Sequence, residues 1–294
     1  MDNTYYILFE KNQSEATISK FHFCTWDINK KQQYLEIGLE IVVQEKNDIG
    51  NIYIIASWIT EGTEVISLHK ELLLDENCSF LFNEEIKGTD SPQKDVGNWK
   101  TISFQGKDSR KIDIIQATFK PQKNIIKISP KWNVSSNNPQ YVRFLIPIQN
   151  NNIATQKKGI AKRTSIYDIK INERRNLSSE FTSIIQEYGL KLASISTCYI
   201  LHVVPAESEI VFNSNSLPKI RCVENNAFEK YLGNYIKIGK RKYIITFNKI
   251  PQQESFSSFY VFTVEIIGIS LILFTVIANI FCSLFLLMLQ LLFQ

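Results

Sequence analysis

From Tyr34 to Ile41 the chain alternates strictly between apolar and polar positions, with Leu35, Ile37, Leu39 and Ile41 on one side and Glu36 and Glu40 on the other. A period of two marks a strand with one buried and one wet face, so this stretch is read as half-buried. Shorter runs of the same kind occupy Asn51 to Trp58, Lys111 to Phe119, Asn124 to Ser129, Tyr141 to Pro147 and Ser165 to Ile171, each bounded by Gly, Pro, Asn or Asp. Leu190 to Val204 is a longer β-branched run stopped by Pro205. Asn234 to Ile238 with Lys242 to Phe247 reads as a hairpin turning at Gly239-Lys240-Arg241.

Helical periods are few. Phe181, Ile184, Ile185 and Tyr188 share one face, Ser178 stands at the N-cap and Gly189 just past the end, which predicts a helix over Ser178 to Tyr188. Glu64 to Asp75, with Val65, Leu68, Leu72 and Leu73 inward, and Glu224 to Leu232, stopped by Gly233, are the other two. Between Gln149 and Thr164 the pattern lapses into Asn and Lys. The expectation is therefore a β-rich part over residues 1–150, a basic mobile loop over 151–163, a second β-rich part over 164–258 and a membrane segment over 259–294. The fold class that follows is mainly β, a β-rich α+β cytoplasmic body with a few short helices and one long C-terminal transmembrane helix.

The last segment changes the picture most. From Phe259 to Gln294 the only charged side chain is Glu265, whereas 61 charges lie in the first 258 residues. Phe259 to Phe293 would make a helix about 52 Å long, more than the roughly 30 Å of a bilayer core. The 19 Leu, Ile, Phe and Val residues between Ile266 and Phe293 favour lipid by roughly 6 to 11 kcal/mol. A two-span hairpin breaking near Asn279 would leave a second arm of only about 21 Å, so a single tilted span is expected. Lys237, Lys240, Arg241, Lys242 and Lys249 precede it with no acid among residues 237–249, which holds the body in the cytoplasm and makes the protein single-pass and tail-anchored. The charged first twenty residues lead to the expectation of no cleavable export signal.

On that helix Glu265, Gly268, Thr275, Asn279, Cys282, Ser283 and Gln290 fall within an arc of about 100°. Small and hydrogen-bonding residues gather where membrane helices touch, so Glu265, Gly268, Thr275, Asn279, Ser283 and Gln290 are the candidates for self-association or for lining a pore. The expected partners are the bilayer, further copies of the chain and a cytoplasmic protein.

Composition and motifs exclude more than they suggest. At 44% apolar and 12% aromatic, with 11 Gly and 8 Pro, the 294-residue chain folds and is neither collagen-like nor a linker. The net charge of +4 is too small to argue for nucleic acid. Five scattered cysteines without a CxxC fit a reducing compartment. His22, His69 and His202 have no partner at zinc spacing, and there is no GxGxxG, P-loop or GxSxG, so no catalytic residue, metal or cofactor is assigned. The densest charge comprises Lys157, Lys158, Lys162, Arg163, Arg174 and Arg175, a candidate contact for phosphate, another anion or anionic lipid. Aromatic residues for stacking bases are sparse there, which counts against RNA.

A cytoplasmic body joined to an oligomerising segment, Phe259 to Phe293, resembles in layout the membrane effectors of bacterial anti-phage systems. That resemblance implies a body that answers a trigger and a tail that assembles and perturbs the bilayer. The other readings are a passive tail-anchored scaffold recruiting a cytoplasmic partner, and a membrane-tethered enzyme.

Overall fold

A computed structural model describes residues 3–11, 16–29, 32–43, 50–82, 84–90, 99–105, 110–148, 153–159, 162–214, 219–265 and 269–293. Along the chain, β1 (Thr4–Glu10), β2 (Ala16–Asn29), β3 (Gln32–Val43), β4 (Ile52–Ile55) and β5 (Ile66–Ser67) lead into α1 (His69–Leu72) and α2 (Asp75–Phe82). Then come β6 (Ile86–Asp90), β7 (Trp99–Phe104), β8 (Lys111–Ile115), β9 (Ala117–Gln122), β10 (Ile125–Pro130), β11 (Gln140–Ile148), β12 (Thr155–Lys158) and β13 (Lys162–Ile171). After α3 (Ser179–Glu187) follow β14 (Leu190–Leu192), β15 (Ser194–Ile195), β16 (Thr197–Pro205), β17 (Glu209–Asn213) and β18 (Lys219–Cys222). The chain closes with α4 (Asn225–Leu232), β19 (Tyr243–Pro251), β20 (Phe256–Glu265) and α5 (Ile269–Leu292).

The strands build two sheets. One runs β17-β20-β13-β1-β4-β10-β9, with β12 on β13 and β14 on β1; the other runs β18-β19-β16-β2-β3-β11-β8-β7-β6, with β15 on β2 and β5 on β11. Their facing sides share one core, in which Phe21, Phe23, Leu35, Ile37, Leu39 and Phe144 meet Tyr5, Ile7, Ile54, Ile126 and Ile169. Each such side chain contributes about 1.5–3 kcal/mol when taken fully out of water. Both outer faces carry helices. α3 lays Phe181 on Tyr6, Leu8 and Tyr53, and Leu72, Cys78, Phe228 and Tyr231 from α1, α2 and α4 lie on Trp26, Tyr141 and Val203 of the second sheet.

This layering explains the departures from the sequence reading. β3 is not half-buried: Tyr231 of α4 closes over Glu36, and Arg110 and Lys20 cover Glu40, leaving them 1% and 3% exposed. Lys111 to Phe119 splits at Gln116 into β8 and β9, which belong to different sheets, and Leu190 to Val204 splits into β14 on the first sheet and β15 and β16, both paired with β2, on the second. The predicted 234–247 hairpin does not form. Gly239 makes its turn at φ +59°, but β19 pairs with β16 and β18, while Ile236 and Ile238 enter the core beneath the helices. The Glu64 to Asp75 helix shrinks to α1, because Ile66 and Ser67 pair with β11. The helices over 178–188 and 224–232 form as expected, with the Ser178 hydroxyl accepting from Phe181 N at 3.2 Å and Gly189 at φ +59°.

The stretch expected as a mobile basic loop is, at Thr155–Lys158, a strand paired with β13; residues 149–152, 160 and 161 lie outside the described ones. Both sheets draw strands from either side of it, since β1 pairs with β13 and β2 with β16. The apolar tail is also divided. Phe259 to Glu265 belongs to β20, which pairs with β13 over ten residues and buries Tyr260, Phe262 and Val264. The 24-residue α5 is therefore about 36 Å long, closer to a bilayer core than the expected 52 Å. Ile272–Leu292 is long and apolar enough to span a membrane, and none of its apolar window is buried in the protein.

Candidate functional site

The covered polar side of β3 forms the centre of the site. Register sets Glu36 beside Cys24 of β2 and Leu145 of β11, and Gly38 between His22 and Arg143. Arg143, 5% exposed, donates from Nε to Glu36 Oε1 at 2.6 Å. The Tyr231 hydroxyl of α4 donates to the same oxygen at 2.5 Å, and Trp26 Nε1 to Glu36 Oε2 at 2.9 Å. The carboxylate is thus satisfied on both oxygens, as a buried charge must be.

From Arg143 the network runs outward. Its Nη1 donates to the Tyr141 hydroxyl at 2.6 Å, which lies 3.0 Å from His22 Nδ1. Arginine can only donate, so the Tyr141 oxygen accepts from it, and the same Nη1 also lies 3.5 Å from His22 Nδ1. Burial, then the charges of Arg143, Lys20 and Arg110, hold the His22 pKa well below its ordinary value, keeping the ring neutral. Burial carries the Tyr141 hydroxyl up to about 12 and the Cys24 thiol well above its usual range, so neither is an anion near neutral pH. Glu40 takes Arg110 and Lys20, the latter at 3.4 Å, and Arg110 Nη1 reaches Glu84 at 3.0 Å.

Above this network opens a groove of about 360 Å³, floored by Arg143 and His22, walled by Phe82, Tyr199, Leu201, Ile245 and Phe247, and edged by Lys20, Arg110 and Arg221 with one acid, Glu84. Lys249 lies over the Tyr199 ring at 6.0 Å and Lys219 over Phe247 at 5.7 Å. Aromatic walls with cations at the rim suit a ligand or peptide with a flat apolar part and a negative charge. They offer no nucleophile and base in contact. Among the described residues no three His, Cys, Asp or Glu side chains converge as metal ligands. The sequence reading placed none of these residues in a site, because Glu36 and Glu40 were assigned to solvent. The available signal was Arg143, a lone charge inside the apolar Tyr141 to Pro147 run.

The six predicted anion contacts do not assemble. Lys157, Lys158 and Lys162 sit exposed at the start of β13, whereas Arg174 and Arg175 lie beyond its other end, about 30 Å away at ~3.3 Å per residue. Arg175 is engaged by Glu173, Nε to Oε1 at 2.9 Å and Nη2 to Oε2 at 2.8 Å, and that bonding brings the Glu173 carboxyl down to about 2. Arg163 is buried, and its charge acts on Asp27, whose carboxyl burial nevertheless raises.

The predicted helix stripe is shortened. Glu265 is the last residue of β20, paired with Lys162 at 3.9 Å, and so is not on the helix; Gly268 lies outside the described residues. Thr275, Asn279, Ser283 and Gln290 remain on one exposed face of α5, with the Ser283 hydroxyl donating back to Asn279 O at 2.9 Å.

No family model matches the chain, and no curated protein matches it. The solved structures similar to it include the M1 zinc metallopeptidase from Deinococcus radiodurans, at 9% identity and a TM-score of 0.34, over 86% of this chain and 43% of that one. The chain spans less than half the length of that peptidase, and a likeness this distant carries no argument about its chemistry.

Proposed function

We infer that the protein is a membrane-anchored sensing or docking body: the groove over Glu36 and Arg143 receives a ligand, and the C-terminal helix, self-associating through Thr275, Asn279, Ser283 and Gln290, is the element it controls. The carrying observation is that Ile272–Leu292 is apolar on nearly every face and packs none of its apolar window against the body. An apolar rod of this length without protein around it belongs in lipid. In hydrocarbon an Asn such as Asn279 gains from a partner on another helix. On this reading the body stays cytoplasmic, and the helix bundle perturbs the bilayer once the groove is filled, as the layout of anti-phage membrane effectors suggests.

The test is full-length protein in vesicles. The chain should resist alkaline carbonate, and truncation after Glu265 should release the body. Dye leakage should be lost in Asn279→Leu while that variant stays inserted. Extraction of the full chain by carbonate would defeat the proposal. A second reading, a passive scaffold, draws on β18, an edge strand whose four residues are all exposed, Ile220 among them. An open edge can accept a partner strand. Retention of activity after replacement of α5 by an unrelated span would favour this scaffold.

A further inference from the structure

Chain segments far apart in sequence meet where β20 leaves its sheet. Lys162 stands opposite Glu265, the last residue of β20, and β12 sets Lys158 opposite Arg163 and Lys157 opposite Thr164. Gly159 N bonds Lys162 O at 2.7 Å, so the end of β12 and the start of β13 lie where β20 exits. On the other sheet β16 ends with Pro205 paired to Tyr243, and Ala206 N bonds Lys242 O at 2.9 Å. Three residues further on, Glu209 is paired with Thr263 of β20. This short turn brings Lys240, Arg241 and Lys242, at the entry of β19, to the same end. Lys157, Lys158, Lys162, Lys240 and Lys242 are all exposed. The acids on these strand ends are fewer, and two of the three are engaged: Glu207 by Arg241, Nε to Oε1 at 2.9 Å, and Glu265 by Lys162 at 3.9 Å, with Glu209 beside them.

The chain from Glu265 to Ile269 can extend no more than about 14 Å. Whatever angle the helix takes, an inserted α5 holds this end of the body within reach of the headgroup layer. Surface potential there decays over about 8 Å, and a Lys stem is long enough to carry its ammonium toward it.

We propose that this basic end of the β body is a lipid-facing surface, seated on the anionic headgroups of the leaflet that α5 enters. The proposal rests on the insertion of α5. It also gives the Lys157, Lys158 and Lys162 cluster a partner that Arg174 and Arg175, at the far end of β13, do not share. Each cation brought to an anionic surface favours it about fivefold, so the surface orients the body and distinguishes an anionic leaflet from a neutral one.

The experiment uses the full chain with Cys222→Ser and Cys282→Ser, carrying a fluorophore on Lys158→Cys or, as the remote control, on Gln253→Cys in the turn before β20. It is reconstituted in vesicles with nitroxide-labelled headgroups, with and without phosphatidylserine, and carbonate resistance is measured on the same samples. The proposal requires quenching at 158 several-fold above that at 253 and increased by phosphatidylserine. Lys162→Glu with Lys240→Glu and Lys242→Glu should abolish the increase without changing carbonate resistance. Inserted protein with equal quenching at both positions, or with no response to phosphatidylserine, overturns the proposal and leaves insertion standing. Such a result is also expected if the cluster binds nucleic acid instead. Protein that carbonate extracts overturns both readings.

Discussion

Gly38 lies directly beneath the Tyr141 hydroxyl, so close that a Cβ at position 38 would overlap it and would stand 2.8 Å from Arg143 Nη1. The glycine is required by this approach, not by a turn. Gly38→Ala should destabilise the protein by about 1–3 kcal/mol, the usual cost of overpacking. Tyr141→Phe removes the blocking oxygen, so it should cost less in the Gly38→Ala background than alone, with a non-additivity of at least about 0.5 kcal/mol. Urea unfolding of the four proteins in detergent, followed by tryptophan fluorescence, measures this; simple additivity would contradict the geometry.

The Glu36–Arg143 pair makes an asymmetric prediction. Arg143→Met leaves a buried carboxylate with two hydrogen-bond donors but no counter-charge and should cost about 3–5 kcal/mol. Adding Glu36→Gln to that variant should restore a good part of the loss, since the remaining amide oxygen still accepts from Tyr231 or Trp26. Ligand binding in the groove should vanish in both. Denaturation midpoints with unchanged slopes would check the stability half.

A third prediction concerns acid. Burial takes the His202 imidazole down to about 3, with its Nδ1 2.7 Å from the Thr25 hydroxyl. Between the unfolded value near 6.5 and that folded value, the unfolded chain holds a proton that the native protein refuses, so stability falls as pH falls through this window. The loss attributable to His202 should reach about 2 kcal/mol by pH 5. Asp27, whose carboxyl burial raises, acts in the opposite sense, and His22 in the same sense as His202. The quantity to read is therefore the difference between wild type and His202→Leu with Thr25→Val. Parallel pH curves for the two would refute the assignment.

On α5, Cys282 falls on the same face as Asn279 and is exposed. If α5 associates along that face, mild oxidant in bilayers should link copies through Cys282 with Cys222 replaced by Ser. Asn279→Leu should weaken association by roughly 3- to 30-fold, the equivalent of one interhelical hydrogen bond of about 0.6 to 2 kcal/mol. Non-reducing electrophoresis reads the dimer fraction; efficient linking that ignores Asn279→Leu would remove that residue from the contact.

Local pattern alone was enough for the β-rich body, for the capped helix after Ser178, for the helix before Gly233 and for an apolar C-terminal helix able to span a membrane, because each depends on periodicity, caps and transfer free energy within a short stretch. It failed where a covering layer or a neighbouring strand intervened. Glu36 and Glu40 look wet in an alternating run, but β11 pairing sets Arg143 beside Glu36, α4 closes over it with Tyr231, and Arg110 and Lys20 cover Glu40. Phe259 to Glu265 runs into the apolar helix with a single charge, and only ten residues of pairing with β13 make it a strand and take Glu265 off the helix. The basic residues likewise form one cluster in sequence, while the strand direction of β13 sends Lys162 and Arg174 to opposite ends of the body. Period and hydrophobicity act within a segment and can be read from it; burial of a polar face and the assembly of distant charges depend on which segments become neighbours, and that was settled by tertiary packing.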